Sequence, residues 1–436
     1  MTTASQRLDP YVADDAALAA ALGDEPAYRV RQLRAWLARG VDDPAEMTDL
    51  PKPVRARLAE RLAPAPRLLR HHTADGGLTD KVLLGMPRGD AADSFARTEP
   101  VESVLMRYPK GVVRGAAGDG ADDAAPRGRA RATVCVSTQA GCALGCPFCA
   151  TGQAGYRGQL STGEIVRQVT VMQRLLAGDA PGDSPSAGSP SAGSPSAGIP
   201  SSGSMGAEGG PAGPGHVTNV VFMGMGEPLA NTDAVLDAVR WLTDGERGFG
   251  LSARAVTVST VGLVPGMRRL TALELPVTLA VSLHAPTDEL RDELVPVNRQ
   301  FPLREVLAAA GDHVEATGRR VTFEYVLIDG VNDDPHVHAP QLARLLAGQR
   351  GHVNLIPMNP TPAVPWRAPS VERQRAFRDT LADAGLAATI RHNRGDDIDA
   401  ACGQLYADHA AGSGRTLPAA RGAVDRIAAL IGEDGR

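Results

Sequence analysis

The chain has five cysteines in 436 residues, and all of them fall in two short stretches. Three form the run Cys142-Ala-Leu-Gly-Cys146-Pro-Phe-Cys149, Cys135 stands just upstream of it, and Cys402 lies far downstream in Gly-Asp-Asp-Ile-Asp-Ala-Ala-Cys-Gly-Gln-Leu. Five is an odd number, and a chain of this size does not need disulfide staples, so a disulfide framework is the poorer reading. Clustered thiols bind metal more naturally, and the other two can then be a reacting pair. Cysteine-built zinc sites close a tetrahedron with a fourth ligand, and bacterial ferredoxin runs carry a fourth cysteine. Here the run stops at three. A [4Fe–4S] cubane on Cys142, Cys146 and Cys149 leaves one iron open to a substrate. The competing reading is a zinc knuckle completed by a distant histidine such as His216.

These residues must be held by a scaffold, and hydrophobic periodicity indicates which one. Short β-branched runs at 132–137, 217–223, 255–259, 277–283, 321–328 and 352–356 alternate with helical stretches such as 163–176, 233–242 and 303–317. A seventh run is plausible at 387–391. Such alternation predicts parallel strands with crossover helices, and six units predict an incomplete (β/α)6 barrel. The cysteine run, Gly224-Met-Gly-Glu-Pro, Ser259, Ser282-Leu-His284 and Pro357-Met-Asn359 all fall at C-terminal strand ends, the rim where sites of such barrels are built. Before the barrel, residues 25–70 read as helices and 78–107 as strands. We therefore expect a small helical module with linker strands over 1–95, a barrel over 96–417 and a tail over 418–436. Low-complexity insertions at 114–126 and 178–215, the second with three tandem Ser-Pro-Ser-Ala-Gly units, have nothing to bury and are expected to be disordered.

Net charge is −5 and hydrophobic content 43%, so no global positive field marks a nucleic-acid partner. The arginines are clustered, as at 29, 31, 34 and 39, which reads either as solvated helix faces or as phosphate contacts. No targeting segment or membrane-length apolar run is visible, and the expected location is the cytoplasm, where free thiols persist.

The triplet, with Phe148 before its last cysteine, resembles the radical S-adenosylmethionine (SAM) enzymes. Four stretches in order, Arg131-Ala-Thr-Val-Cys-Val-Ser-Thr-Gln-Ala-Gly-Cys, Gly224-Met-Gly-Glu-Pro-Leu, Val281-Ser-Leu-His-Ala-Pro and Arg394-Gly-Asp-Asp-Ile-Asp-Ala-Ala-Cys-Gly-Gln-Leu, resemble more closely the RlmN family of adenine-C2 RNA methyltransferases. The likeness runs over about residues 25–417 and fails in the two insertions. It implies that Cys142, Cys146 and Cys149 hold the cluster, and that Gly226, Glu227, Ser259, Ser282, Leu283, His284 and Asn359 bind SAM. It further implies that Cys402 carries a methyl group, that Cys135 resolves the adduct by forming a disulfide, and that Glu102 accepts the C2 proton. Two SAM are consumed per turnover. The implied partners are 23S rRNA and tRNA, a flavodoxin-like electron donor and a disulfide reductant, with the protein a monomer. A Cfr-type enzyme acting at adenine C8 shares these motifs. From another class, a zinc-bound RNA-binding protein without enzymatic activity remains as an alternative.

Overall fold

The computed structural model describes residues 7–87, 98–109, 130–178, 215–361, 363–391 and Arg426. Three helices, α1 (Asp15–Leu22), α2 (Tyr28–Ala38) and α3 (Lys52–Arg61), precede an antiparallel run of β1 (Arg67–Ala74), β2 (Thr79–Pro87) and β3 (Thr98–Tyr108), joined by β4 (Arg131–Cys135). A ribbon of β5 (Gln139–Gly141) and β6 (Tyr156–Gln159) brackets the short helix α4 (Ala150–Gln153). Helices and strands then alternate: α5 (Thr162–Ala177), β7 (Asn219–Phe222), α6 (Thr232–Thr243), β8 (Val256–Thr260), α7 (Val264–Thr271), β9 (Thr278–Ser282), α8 (Asp288–Leu294), α9 (Leu303–Thr317), β10 (Val321–Leu327), α10 (His338–Leu345), β11 (Gly351–Pro357), α11 (Val371–Asp383) and β12 (Ala388–Ile390).

Local sequence accounts for several boundaries. The Ser161 and Glu164 side chains close a capping box at the start of α5, and Gly178 ends it in the left-handed region. The expected helical stretch 25–70 runs too far, because Arg67–Arg70 begin β1. Pro64 and Pro66 end the helical run, and Asp75, Gly76 and Gly77 all take positive φ, turning the chain back onto β2. Helix α1 was not expected, since its alanine-rich sequence carries little apolar periodicity; Asp14 caps it through Ala17 N–H.

All main strands form one ten-stranded sheet, ordered β1-β2-β3-β4-β7-β8-β9-β10-β11-β12. The first pairs are antiparallel, and every pairing from β4 to β12 is parallel. The seventh run thus does form a strand. The expected boundary at 95/96 lies outside the described residues, and β2 and β3 on either side of it pair with each other.

The two faces of the parallel strands differ. One carries Val134, Val220, Phe222, Val258, Val281 and Phe323, all in a core that also takes Leu18, Leu33 and Leu58 from the N-terminal helices. The buried Arg167 of α5 binds Asp42 at 3.0 Å and Asp9 at 3.5 Å, fastening the N-terminal segment to this layer. The register sets Cys135, Thr257, Thr278, Ser282, Glu324 and Asn354 on the opposite face. Parallel strands packed on both faces read as nearly continuous apolar runs. Alternation here means that this face is left for something polar. Six inter-strand steps separate β4 from β12, roughly 30 Å on a flat sheet. Gln153, just past the cysteine run that follows β4, nevertheless donates to Thr361 Oγ1, just past β11, at 2.8 Å. The sheet therefore curls, bringing its far strands around toward β4.

Candidate active site

The cysteine run follows β4 on the sheet's C-terminal rim. Cys146 is buried, and Cys142 and Cys149 are half-buried. Burial pushes the Cys142 thiol up to about 12 and the Cys146 thiol well above its ordinary value, and each is raised further by neighbouring thiols of the triplet. The three are therefore close. Among the described residues, however, no three His, Cys, Asp or Glu side chains converge on one point able to hold a single ion. Three thiols in one loop are the donor set that a cubane takes, one thiolate to each of three irons. The loop rests on a satellite apolar core that includes Cys146, Val295, Ile328, Met358 and Trp366.

Gly224 and Gly226 bring the turn after β7 against the segment that leads from β4 into the cysteine run. A Cβ on Gly226, at φ +97°, would lie 2.5 Å from Gln139 Cβ, and one on Gly224 would lie 2.7 Å from Ser137 Oγ. Glu227 is 3% exposed. Its carboxylate accepts from Leu229 N–H and Val261 N–H, both at 2.9 Å, so it caps the turn and ties it to the end of β8. Burial raises its pKa to about 7 against these hydrogen bonds, and it stands beside Cys142 and Cys146.

His284 has φ +62°, uncommon outside glycine. Its Nδ1 accepts from Val326 N–H at 3.1 Å, and its ring meets Phe148 edge-on with centroids 4.9 Å apart. Burial, and next the Arg291 charge, push its pKa down to about 3. The ring is therefore neutral, and since Nδ1 accepts, the proton is on Nε2. Ser259 Oγ donates to Phe222 O at 2.6 Å, and Leu283 N–H donates to Glu324 O at 2.9 Å. Ser282 ends β9, and Asn359 is half-buried just beyond β11.

Arg291 of α8 is fully buried. Its guanidinium donates to Val261 O at 2.6 Å, Ser282 O at 2.9 Å, Leu283 O at 3.0 Å and Asn298 Oδ1 at 2.7 Å. One side chain thus fastens the ends of β8 and β9 beside the cysteine loop.

On the polar face, Glu102 is 2% exposed and its Oε2 lies 3.4 Å from Lys81 Nζ, itself buried. Ser137 Oγ donates to Glu102 O at 2.6 Å and accepts from Met225 N–H at 2.8 Å, joining β3 to the glycine-rich turn. Cys135 is half-buried. It pairs with Val104, two residues from Glu102, so Glu102 and Cys135 share a face. Burial raises the Cys135 thiol to about 11, Arg391 and Lys81 lower it, and Glu102 raises it.

No family model matches the chain. It is 49% identical over 400 residues to the probable dual-specificity RNA methyltransferase RlmN of Parafrankia sp. (strain EAN1pec), covering 90% of this chain and 89% of that one. The protein of the same description from Thermobifida fusca (strain YX) is 46% identical over 409 residues, covering 92% and 94%. A crystal structure of a radical SAM methyltransferase from Sphaerobacter thermophilus matches with a TM-score of 0.72 and 42% identity over 91% of this chain and 98% of that chain. The chain belongs to the RlmN family.

The resemblance read from four ordered stretches is thereby borne out. Of the residues it singled out, the structure gathers the cysteine triplet, Gly226, Glu227, Ser259, Ser282, Leu283, His284 and Asn359 along strand ends of one rim. It places Glu102 and Cys135 together on the adjoining polar face. Cys402 lies outside the described residues. RlmN motif reasoning missed Arg291 and Lys81. The sequence signal for Arg291 was a basic residue inside Asp288-Glu-Leu-Arg-Asp-Glu-Leu, which looks like an exposed charged helix. For Lys81 it was a charge at the start of an otherwise apolar strand.

Proposed function

We propose that the protein methylates C2 of adenine in 23S rRNA and tRNA through S-methylation of Cys402. The observation that carries this is the meeting of three clustered thiols with a second, separate pairing of Glu102 and Cys135 inside one curled sheet. Cys142, Cys146 and Cys149 would hold a [4Fe–4S] cluster, and the residues at the ends of β7, β8, β9 and β11 would hold SAM. When bound, SAM would supply the methyl group taken by the Cys402 thiolate, and the cluster with a second SAM would supply the radical chemistry that activates that methyl group.

The remaining work belongs to side chains. Cys402 carries the carbon that joins adenine C2; Glu102 would take the C2 proton as the adduct gives up its unpaired electron, which the oxidised cluster would accept, leaving a closed-shell thioether on Cys402. Cys135, as thiolate, then attacks the Cys402 sulfur: the S–S bond forms, the S–CH2 bond breaks, and its electron pair goes to the carbon. That carbon takes up the proton Cys135 has lost and becomes the methyl group. The two cysteines are oxidised by two electrons as the carbon is reduced by two, and a disulfide reductant resets them. A flavodoxin-like donor would supply the electron for SAM cleavage. RNA would be met in part by Arg31, exposed on α2, and by Arg39, exposed just past its end with its guanidinium over the Trp36 ring; Arg29 and Arg34 are engaged within the N-terminal segment. Among the described residues no helix is long and apolar enough to cross a membrane, and we place the reaction in the cytoplasm.

Expression of Cys135→Ala in cells tests this. The variant should retain its cluster and accumulate RNA bonded to the Cys402 peptide, seen by denaturing gel, nuclease treatment and mass spectrometry. RNA from a strain lacking the protein should lose 2-methyladenosine. A missing RNA-linked peptide in cluster-loaded, RNA-binding Cys135→Ala protein overturns the mechanism, and loss of 8-methyladenosine instead overturns the C2 assignment.

A further inference from the structure

Asn332 has no part in the reading above, yet it is fully buried in the turn after β10 and its side chain reaches His284. Its carboxamide donates to His284 O at 2.8 Å and to Val326 O at 2.6 Å, and accepts from Ile328 N–H at 2.8 Å. In a parallel ladder a peptide unit donates to the carbonyl before the opposite residue and accepts from the N–H after it. The Asn332 side chain does both around Leu327, in the place that β9 vacates where His284 turns into the left-handed region at φ +62°. Its other N–H holds the His284 carbonyl, and Tyr325 Oη donates to Asn332 O at 2.8 Å, fixing the residue from behind. We propose that Asn332 is a positioning residue for SAM, which holds His284 in its left-handed turn and so keeps the imidazole Nε2–H presented to the cofactor.

This inference rests on the role proposed above for His284 in binding SAM. Three consecutive carbonyls at the end of β9 are taken by buried side chains, those of Ser282 and Leu283 by Arg291 and that of His284 by Asn332. The imidazole is held at Nδ1 by Val326 N–H and on one side by the Phe148 ring. Among the described residues none accepts from its Nε2–H. A ring donor withdrawn from water is costly without an acceptor, and the oxygens and adenine nitrogens of SAM are acceptors. A residue with a side chain enters the left-handed region only where its surroundings hold it there. Without the Asn332 bond the peptide after His284 can relax toward extended backbone, which swings the ring off Val326 N–H and away from Phe148. Asn332 thus acts on the cofactor through His284, with no contact of its own required.

The test is a double-mutant cycle on cofactor affinity in the full, cluster-loaded protein, with iron and sulfide content checked for each variant. The probe is S-adenosylhomocysteine, which has no methyl group to give and no sulfonium to cleave, and its binding is read by equilibrium dialysis. His284→Ala and Asn332→Ala should each weaken binding by about tenfold, the loss of about one hydrogen bond. Combined, they should bind within about twofold of His284→Ala alone, because Asn332 then has no imidazole to place. A general loosening of the fold would instead add in full in both backgrounds. Full additivity, or wild-type affinity in Asn332→Ala, overturns the inference. Tyr325→Phe frees the Asn332 carbonyl with little change of volume, and it carries the same cycle if Asn332→Ala does not fold. It should weaken binding by about threefold beside His284 and not at all in the His284→Ala background; equal losses in both backgrounds, or none in either, overturn the inference. Wild-type affinity in His284→Ala removes the SAM-binding role of His284 and the inference with it, whereas full additivity removes the inference alone, so the two failures are told apart.

Discussion

Replacing Arg291 with methionine deletes the four hydrogen bonds that fasten Val261, Ser282, Leu283 and Asn298. Two effects oppose each other. Burial disfavours the guanidinium charge and lowers its pKa from 12.5 to about 10, equivalent to about 3 kcal/mol recovered when the charge is removed. Against this, four buried acceptors lose a charged donor, at roughly 1.5–2 kcal/mol each. The net is a loss of about 3–5 kcal/mol, the range found when one partner of a buried charged network is deleted. Lysine should rescue little, because one ammonium cannot span four acceptors that the planar fork reaches together. Urea unfolding of the metal-free protein, followed by tryptophan fluorescence, measures the loss, and equilibrium dialysis with SAM measures the consequence at the ends of β8 and β9. A loss below about 1 kcal/mol for Arg291→Met, or a lysine variant equal to wild type, would refute the claim that this side chain holds the strand ends together.

Two further outcomes follow from the structure. Cys146→Ala removes the most buried thiol of the triplet and should abolish iron and sulfide content and SAM cleavage; stoichiometric zinc without sulfide in anaerobically prepared wild-type protein would instead support the knuckle. Asp80 is opposed by burial, but hydrogen bonds from Arg107, Thr73 and His71 outweigh it and hold its pKa below the ordinary 3.8. That stability is fully present above pH about 4 and is lost as pH falls through the lowered folded value, so Asp80→Asn should lower stability near neutrality and flatten the acid limb of a stability–pH curve, variant and wild type converging at low pH.

Local patterns were legible where local physics decides. The strands at 321–327 and 351–357 and the helix at 303–317 carry their own periodicity and formed nearly as read. The β1 hairpin was harder, because Arg67-Leu-Leu-Arg-His-His has neither clear period, and only the turn at 75–77 and the pairing with β2 settle it. Glu227 shows how a motif understates a residue: its place on the strand-end rim was expected, while its hold on the backbone N–H groups of Leu229 and Val261 depends on how closely the β7 and β8 ends approach.

By itself the sequence determined the three-thiol run, the family and the alternation of strands with helices, since spacing and periodicity are properties of a few neighbouring residues. Only the tertiary structure decided which distant groups meet. Lys81, Glu102, Cys135 and Arg391 come from four places in the chain, and their proximity depends on antiparallel register between β2, β3 and β4 and on the curl that returns the far strands toward β4. A strand's two-residue period fixes which face a side chain takes, but not what lies across from it. A charged helix looks the same whether its arginine faces water or, as Arg291 does, four carbonyl-type acceptors at the centre of the site.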